Sequence, residues 1–299
     1  MSEVVSHPKL AYNSTTFQMR FQVFLVVFFL GCAGARTTTP PVSPEPAPAP
    51  ISAQPSLPIS KSNTWTFRYT PGAVSYRITR KAVIANADSA TEQRTSTNVT
   101  HEVVTLTSSD SALDAAAVID TFSTTVEPGP ALPMQVPTQI SASLTAKALT
   151  IYSSDTSCSP TSSILATDLN NLLVPFPSPL NLGMVWRDTV DVKGCQAGII
   201  MSARVTRSFM VTGEVPGDPR PLVAITRTDS AELNGEGGLE QHRVSTHADG
   251  TGTAMYYLNT ETGQVIHLVL NQILTFDILA EAKRQRLKQE TSEDFTILP

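Results

Sequence analysis

The chain has little charge, few cysteines and no long hydrophobic run. Charged residues make up 16% of its 299 residues, whereas typical soluble proteins have about 25%. The net charge of −5 argues against a basic nucleic-acid-binding surface. Its longest apolar run is well short of the roughly twenty residues that a membrane-spanning helix needs. Threonine, by contrast, is abundant at 37 residues, and this β-branched residue favours strands over helices.

Sequence motifs of common catalytic sites are also absent. The chain has no Gly-x-Ser-x-Gly elbow, no Gly-rich phosphate loop and no His-Glu-x-x-His zinc motif. Two pairs of candidate side chains differ in position by an odd number, His242 and His247 by five and Asp188 and Asp191 by three. On a strand this places the members of each pair on opposite faces. We therefore expect no bound metal, no cofactor and no enzymatic activity. A hydrolase would need a Ser/His/Asp or metal cluster that only the fold could assemble.

The N-terminal residues 1–31 have the pattern of a secretory signal. Phe21 to Leu30 are apolar except for Gln22, and Arg20 precedes them. A basic residue, an apolar stretch of about ten residues and small residues behind it are typical of a cleaved signal. The residues before Met19 are unlike the start of a signal, so Met19 is a more conventional first residue.

The residues Phe29-Leu30-Gly31-Cys32 resemble the lipobox of bacterial lipoproteins, usually written Leu-(Ala/Ser)-(Gly/Ala)-Cys. Gly31 and Cys32 match that pattern, and Phe29 and Leu30 depart from its commonest residues. The resemblance implies cleavage before Cys32, acylation of its thiol and new amine, and firm membrane anchoring through several acyl chains. Ala33 after the cysteine resembles the outer-membrane sorting pattern of enteric bacteria. The alternative is an ordinary cleaved signal followed by a chance cysteine.

Residues 32–62 are predicted to be a disordered linker. Eight of the 22 prolines fall between Pro40 and Pro58, mixed with alanine and serine. Such a segment is extended and semi-stiff, at roughly 3 Å per residue. It would hold a folded domain, residues 63–299, at a distance from the membrane.

Assigning Cys32 to lipid leaves Cys158 and Cys195 as an even pair. In an exported protein, and hence an oxidising compartment, this favours a disulfide bond. The bond would close a loop of 38 residues and stabilise the fold by roughly 3–4 kcal/mol in the chain-entropy model. The alternative is two unrelated buried thiols.

Apolar and polar residues alternate along most of the remaining chain, which indicates β-strands. The clearest runs are Trp65 to Tyr69, Val74 to Ile84, Ile140 to Ala148, Ile199 to Val211 and Ile266 to Phe276. Because each run has one polar face, antiparallel pairing is favoured over a parallel sheet buried on both sides. Several runs are longer than usual strands, and a sheet of long strands must twist and curl. The sequence therefore predicts a mainly β fold with a large curved antiparallel sheet of roughly ten to twelve strands.

Turn residues and one helical pattern complete the predicted elements. Pro71-Gly72, Gly235 to Gly238, Asp249-Gly250 and Asn259 to Gly263 are predicted chain reversals, the last a hairpin loop with Gly263 available for positive φ.

Ser162 to Leu173 has leucine and isoleucine at helical spacing, and Pro175 should end this helix because the residue before a proline disfavours helical geometry. Ala280 to Glu290 is ambiguous. We expect a turn near Glu281 and then a polar final strand through Phe295, in preference to a terminal helix.

A family resemblance rests on two stretches. Alternating prolines from Pro175 to Pro179 lead into Leu182-Gly183 and Trp186-Arg187-Asp188, and the Asn259 to Gly263 hairpin precedes a long strand. These stretches look like those of uncharacterised bacterial envelope lipoproteins, which are expected to carry a curved antiparallel sheet similar to the LolA/LolB half-barrel. The resemblance implies a fold and an apolar cavity on the concave face. It implies no reaction.

Candidate ligand-binding residues are aromatic, because a half-open sheet presents an apolar concave face. They are Trp65, Phe67, Tyr69, Trp186 and Phe209. Core packing explains these residues equally well. Arg80 and Arg207 interrupt otherwise apolar faces, where a charge is costly unless paired or exposed. We expect them to mark strand ends that reach solvent, the alternative being contacts with anions.

These observations predict a membrane-anchored lipoprotein of the bacterial envelope, attached to the outer membrane through the lipid on Cys32, with its domain in the periplasm or at the cell surface. Its expected activity is non-enzymatic binding or scaffolding. One alternative is a carrier or chaperone for lipid or an acylated protein, held on the concave face. The other is a hydrolase on a β scaffold. Nucleic acid is not an expected partner.

Overall fold

The computed structural model describes residues 63–88, 93–109, 112–127, 138–152, 160–196, 199–217, 221–238, 243–280 and 283–299. All of them belong to the compact unit Ser56–Pro299. The predicted signal, the lipidated Cys32, the proline-rich linker and Cys158 lie outside the described residues, and each stays a prediction.

The described residues form thirteen strands and one helix. The helix, α1, is Pro160–Leu172. The strands are β1 Thr64–Trp65, β2 Gly72–Asn86, β3 Gln93–Ser108, β4 Leu113–Glu127, β5 Thr138–Leu144, β6 Leu149–Tyr152, β7 Leu180–Asn181, β8 Val185–Gln196, β9 Ile199–Val215, β10 Leu222–Gly237, β11 Val244–Asn259, β12 Gln264–Ala280 and β13 Lys283–Ile297.

Eleven of the strands form one antiparallel sheet in the order β6-β5-β4-β3-β2-β13-β12-β11-β10-β9-β8, while β1 pairs only with β7. The sheet consists of two meanders, β2–β6 and β8–β13. The last strand, β13, pairs with β2 and joins them. The sheet curls into a half-barrel, so the predicted mainly β fold with one short helix is confirmed.

Alternation along the strands gives the sheet one apolar face, and α1 packs on this concave face. In β9, for example, Phe209 and Val211 are buried whereas Met210 between them is 44% exposed. The helix contributes Leu165, Leu169 and Leu172 to the core. Burial of such side chains stabilises by about 1.5–3 kcal/mol each.

Two predicted local structures agree with the structure. The helix ends at Leu172, just before Pro175, as the proline predicts. In the loop between β11 and β12, Gly263 has φ 65° and the side-chain oxygen of Asn259 accepts bonds from two backbone N–H groups. No helix in the described part of the chain is both long and apolar enough to cross a membrane.

Other predicted strands and turns were wrong. The predicted strand Ile140 to Ala148 ends at Leu144. Of the predicted strand Trp65 to Tyr69, only Trp65 lies in a strand, because the chain there leaves the sheet and packs on the concave side. Asp249-Gly250 is not a reversal but the middle of β11, which is paired on both sides with β10 and β12. Gly250 is needed there for close packing, since a Cβ would lie 2.3 Å from the carbonyl oxygen of Ile273. The predicted final strand, by contrast, is confirmed as β13.

Candidate functional site

Helix α1 lies near both ends of the curled sheet, where it contacts β4, β5 and β8. The hydroxyl of Thr161 is 2.7 Å from that of Thr138 at the start of β5. On the other side, a Cβ on Gly194 of β8 would lie 2.8 Å from Ser163 Oγ. The helix therefore bridges the two meanders, and three groups of residues follow one another along the concave face.

The first group, the aromatic core, contains all five aromatic residues named from the sequence, together with Phe176 and Tyr256. Trp186 stacks on Phe209 with ring centroids 4.9 Å apart, and Phe67 meets Phe176 edge-on at 5.1 Å. Core packing, one of the two interpretations above, accounts for these positions. The five residues are Trp65, Phe67, Tyr69, Trp186 and Phe209.

Tyr69 joins this core to the end of the helix. Its hydroxyl lies 3.1 Å from the carbonyl oxygen of Leu172 and 2.9 Å from that of Val174. The Leu172 carbonyl belongs to the last turn of the helix, whose carbonyls lack partners within the helix, so the phenol caps this end. Burial raises the pKa of the Tyr69 hydroxyl well above its usual value, which keeps it a hydrogen-bond donor.

The second group, the ionic belt, is a set of buried and half-buried charged side chains beside α1. One part is built around Arg80 of β2, which bonds Asp168 of the helix and lies 3.5 Å from Glu293 of β13. Glu102 of β3 is 1% exposed beside them. The belt consists of Arg80, Glu102, Asp168, Asp188, Arg207, Arg227, Asp229 and Glu293.

Burial and nearby carboxylates raise the pKa values of two acids in this cluster. Burial, followed by the nearby Asp168 carboxylate, raises the pKa of Glu102 from 4.5 to about 11. Burial likewise raises the pKa of Glu293. For Arg80, burial lowers the pKa, but the carboxylates of Asp168 and Glu293 more than offset this and raise it above its usual value. Arg80 therefore keeps its positive charge, and burial favours the protonated form of Glu102.

The other two arginines of the belt also reach the helix. Arg227 binds both Asp229, at 2.8 Å, and the Asn171 side chain, at 3.0 Å. Arg207 forms a two-pronged ion pair with Asp188 at 2.6 and 2.7 Å and donates to the carbonyl oxygen of Asn170. Three strands thus each hold α1 through one guanidinium.

The expectation that Arg80 and Arg207 reach solvent was therefore wrong. Their exposed fractions are 8% and 3%, and both bind carboxylates of this chain. The odd spacing of Asp188 and Asp191 correctly placed them on opposite faces. Asp188 points inward to Arg207, and Asp191 pairs with Arg204 on the outer face.

The third group, the distal surface, lies beyond the belt on the inward-facing positions of β8, β9 and β10. Val205 is paired with Val190 on one side and Ala231 on the other, and the next row joins Ala203 to Val192 and Leu233. Most of these side chains are half-buried and therefore partly open to solvent. The distal surface consists of Val190, Val192, Ile199, Met201, Ala203, Val205, Ala231 and Leu233.

The distal surface is long enough to take a hydrocarbon chain. From Val205 to Ile199 the strand extends about 20 Å at roughly 3.3 Å per residue. One acyl tail in a membrane covers about 15 Å, half of a hydrocarbon core of roughly 30 Å. On the neighbouring strands the inner face continues with buried apolar residues, Ala248, Leu274, Phe276, Ile278 and Leu287.

The outer face has a cleft of about 520 Å³ at the far ends of β10 to β12. Ser245 and His247 line it, and Asp249 follows on the same face. The ring nitrogens of His247 lie 2.8 Å from Asn234 Oδ1 and 3.0 Å from Asp249 Oδ2. Since both nitrogens contact these oxygens, the ring is not placed to take a proton from Ser245, as a serine nucleophile requires.

His247 is a solvated strand residue, 47% exposed at its side chain, as the sequence suggested. Its predicted opposite-face neighbour, His242, lies outside the described residues. Among the residues that the structure describes, no group of three or more His, Cys, Asp or Glu side chains is arranged to hold a metal ion. The concave face, and the distal surface in particular, is therefore the candidate functional site.

Comparisons with known proteins give no family for this chain. No family model and no curated protein matches the sequence. Solved structures with some likeness include one described as "Asymmetric conductivity of engineered proteins" and a mutant porin of Rh. blastica, each 8% identical to this chain. Each match covers 75% of this chain and all of the other, with TM-scores of 0.24 and 0.25. At such TM-scores the likeness carries no argument about function.

Proposed function

We propose that the protein is a non-enzymatic binding protein of the bacterial cell envelope, anchored by lipid at Cys32, whose distal surface binds an apolar ligand of the acyl-chain type. The observation that carries this proposal is the distal surface itself. Its aliphatic side chains form continuous rows on the inner face of a curved sheet, and they are partly open to solvent. Concave apolar surfaces of this kind are typical of small-molecule sites, and exposed apolar patches in soluble proteins commonly mark binding.

The ionic belt would form the inner end of this site, next to the distal surface. Each of its arginines is bound to a carboxylate of the same chain, as with Arg80 and Asp168. A charged ligand head group would have to break such a buried pair, which is costly. The ligand therefore enters with its apolar end first, and its polar end stays at the open end of the sheet. The site would then select its ligands by the shape of their hydrocarbon chain more than by their head group.

The predicted tether supports the same function. A proline-rich linker after Cys32 would keep the domain near a membrane. An envelope lipid or an acylated protein is the corresponding partner. A scaffolding role has no comparable feature to support it among the described residues.

A matched pair of substitutions tests the proposal. Val205 faces the distal surface, and Thr206, the next residue of β9, is exposed on the outer face. The full chain and its V205D and T206D variants are purified from membranes with mild detergent, and bound lipid is measured by mass spectrometry. Affinity for a fluorescent fatty acid is measured in parallel, and far-ultraviolet circular dichroism checks that each variant is folded.

We expect wild type and T206D to carry lipid and to bind the probe, and V205D to bind it at least tenfold more weakly. The reason is that the ligand would have to desolvate the carboxylate that V205D places on the apolar distal surface. Equal binding by both variants, or no binding by wild type, would exclude the distal surface as a ligand site.

A further inference from the structure

The cluster around Arg80 has more acid than base. Three carboxyl groups, on Asp168, Glu102 and Glu293, surround the one guanidinium. Arg227 also faces Glu293, but it binds its own carboxylate, that of Asp229. If all three acids were ionised, the interior would hold uncompensated negative charge, which costs several kcal/mol per ion.

The hydrogen bonding of Glu102 shows where the excess charge is neutralised. Neither of its carboxyl oxygens has a donor, and one oxygen of Asp168 also lacks one. The two carboxyl groups nevertheless lie within hydrogen-bonding reach of each other. Two carboxylates cannot bond to each other, whereas a protonated carboxyl donates to a carboxylate. One proton on Glu102 therefore gives the free Asp168 oxygen a donor and removes the uncompensated charge of Glu102.

Asp168 is the only acidic residue of α1, whereas Glu102, Arg80 and Glu293 all belong to the sheet. The interaction that needs the proton therefore exists only while the helix is docked. We propose that docking of helix α1 on the sheet is a proton-uptake reaction, in which Glu102 takes one proton from solvent and donates it in a hydrogen bond to Asp168.

When the helix leaves, Glu102 meets water and returns its proton to solvent. The pKa of Glu102 near 11 in the docked state agrees with this direction. Raising the pH therefore favours release of α1, and acidification holds it in place. Because α1 bridges the two meanders, this equilibrium controls how far the concave face opens.

Hydrogen exchange on the full chain tests the proposal. A free helix of thirteen residues is marginal in water, so the amides of α1 exchange once it undocks. Exchange is measured by mass spectrometry between pH 5.5 and pH 8.5 and corrected for the intrinsic pH dependence of amide exchange. Amides of β12 report global unfolding and separate it from release of the helix. Variants E102Q and E290Q are compared with wild type, because Glu290 also belongs to β13 but is exposed on the outer face, away from the cluster.

One proton released per opening event makes the opening equilibrium constant rise tenfold for each pH unit. We expect this slope in wild type and in E290Q. In E102Q the slope should disappear, since the glutamine amide donates to Asp168 without titrating. A flat wild-type profile overturns the proposal, and so does an E102Q variant that keeps the tenfold slope. If E102Q fails to fold, the pH dependence of helix opening in wild type still tests whether docking takes up a proton.

Discussion

The carboxylate of Asp168, in the middle of helix α1, binds the guanidinium of Arg80, in the middle of strand β2, and both side chains are 10% exposed or less. Breaking a buried ion pair by removing one partner costs about 3–5 kcal/mol, because the other charge is left uncompensated. This single contact therefore links the stability of the fold to the position of the helix.

Replacing Asp168 by leucine should lower the free energy of unfolding by about 3 kcal/mol, because Arg80 stays buried without its main partner. Urea unfolding followed by tryptophan fluorescence measures the effect. The double variant R80M/D168L removes both charges and should be less destabilised than D168L. As a control, D191N breaks the exposed pair with Arg204 and should leave the unfolding midpoint unchanged. A D168L variant as stable as D191N would contradict the assignment.

Overall stability should also fall as pH rises, and E102Q should remove much of this dependence. The pKa of Glu102 rises from 4.5 to about 11 on folding, so between these values the folded chain holds a proton that the unfolded chain has lost. The contribution is fully present below pH 4.5 and decreases by at most about 1.4 kcal/mol per pH unit above it. Urea midpoints at pH 5, 7 and 9 measure the slope. An identical slope in wild type and E102Q would exclude Glu102 as the titrating group.

Gly250 and Gly252 of β11 should differ in their tolerance of alanine. A Cβ on Gly250 would lie 2.3 Å from the carbonyl oxygen of Ile273, a backbone atom that cannot move away locally. A Cβ on Gly252 has its nearest contact at 3.1 Å. We expect G250A to lose roughly 2 kcal/mol or more through strain in a packed interior, and G252A clearly less. Thermal unfolding of the two variants checks the order, and the reverse order would contradict the packing described here.

The Cys158–Cys195 disulfide is open to direct measurement. Cys195 belongs to β8, and Cys158 is two residues before α1 in the sequence. A bond would therefore fasten the start of the helix to β8. Peptide mapping of the exported protein without reductant should show the linked peptides. C158S and C195S should each lose roughly 3–4 kcal/mol, and the double variant no more than either. Two free thiols in the exported protein would exclude the bond.

The predicted lipid anchor requires the thiol of Cys32. Radiolabelled palmitate should be incorporated into the wild-type chain in a bacterial host and not into C32S, which lacks the thiol that accepts the acyl group. Labelling that persists in C32S would refute the anchor. C195S serves as the control for loss of a cysteine elsewhere and should be labelled like wild type.

The sequence by itself determined the class of fold and most of its elements. Alternation of apolar and polar residues decides which face of a strand is buried, and this local pattern predicted the long antiparallel strands. Pro175 fixed the end of α1, and Gly263 with Asn259 fixed the hairpin. These features depend on residues close together in the chain, where the preferences of single residues are strong.

Tertiary structure alone decided the partners of the charged side chains and the registers. Arg80 and Asp168 are 88 residues apart, and no local pattern relates them. Ile266 begins the alternating run that ends at Phe276, but a register shift makes it the extra residue, and Val265 is buried in its place. Asp249-Gly250 has the composition of a turn, yet strands on both sides pair across it. In each case the physical reason is the same. A contact between distant segments contributes more free energy than the local preference that it overrides.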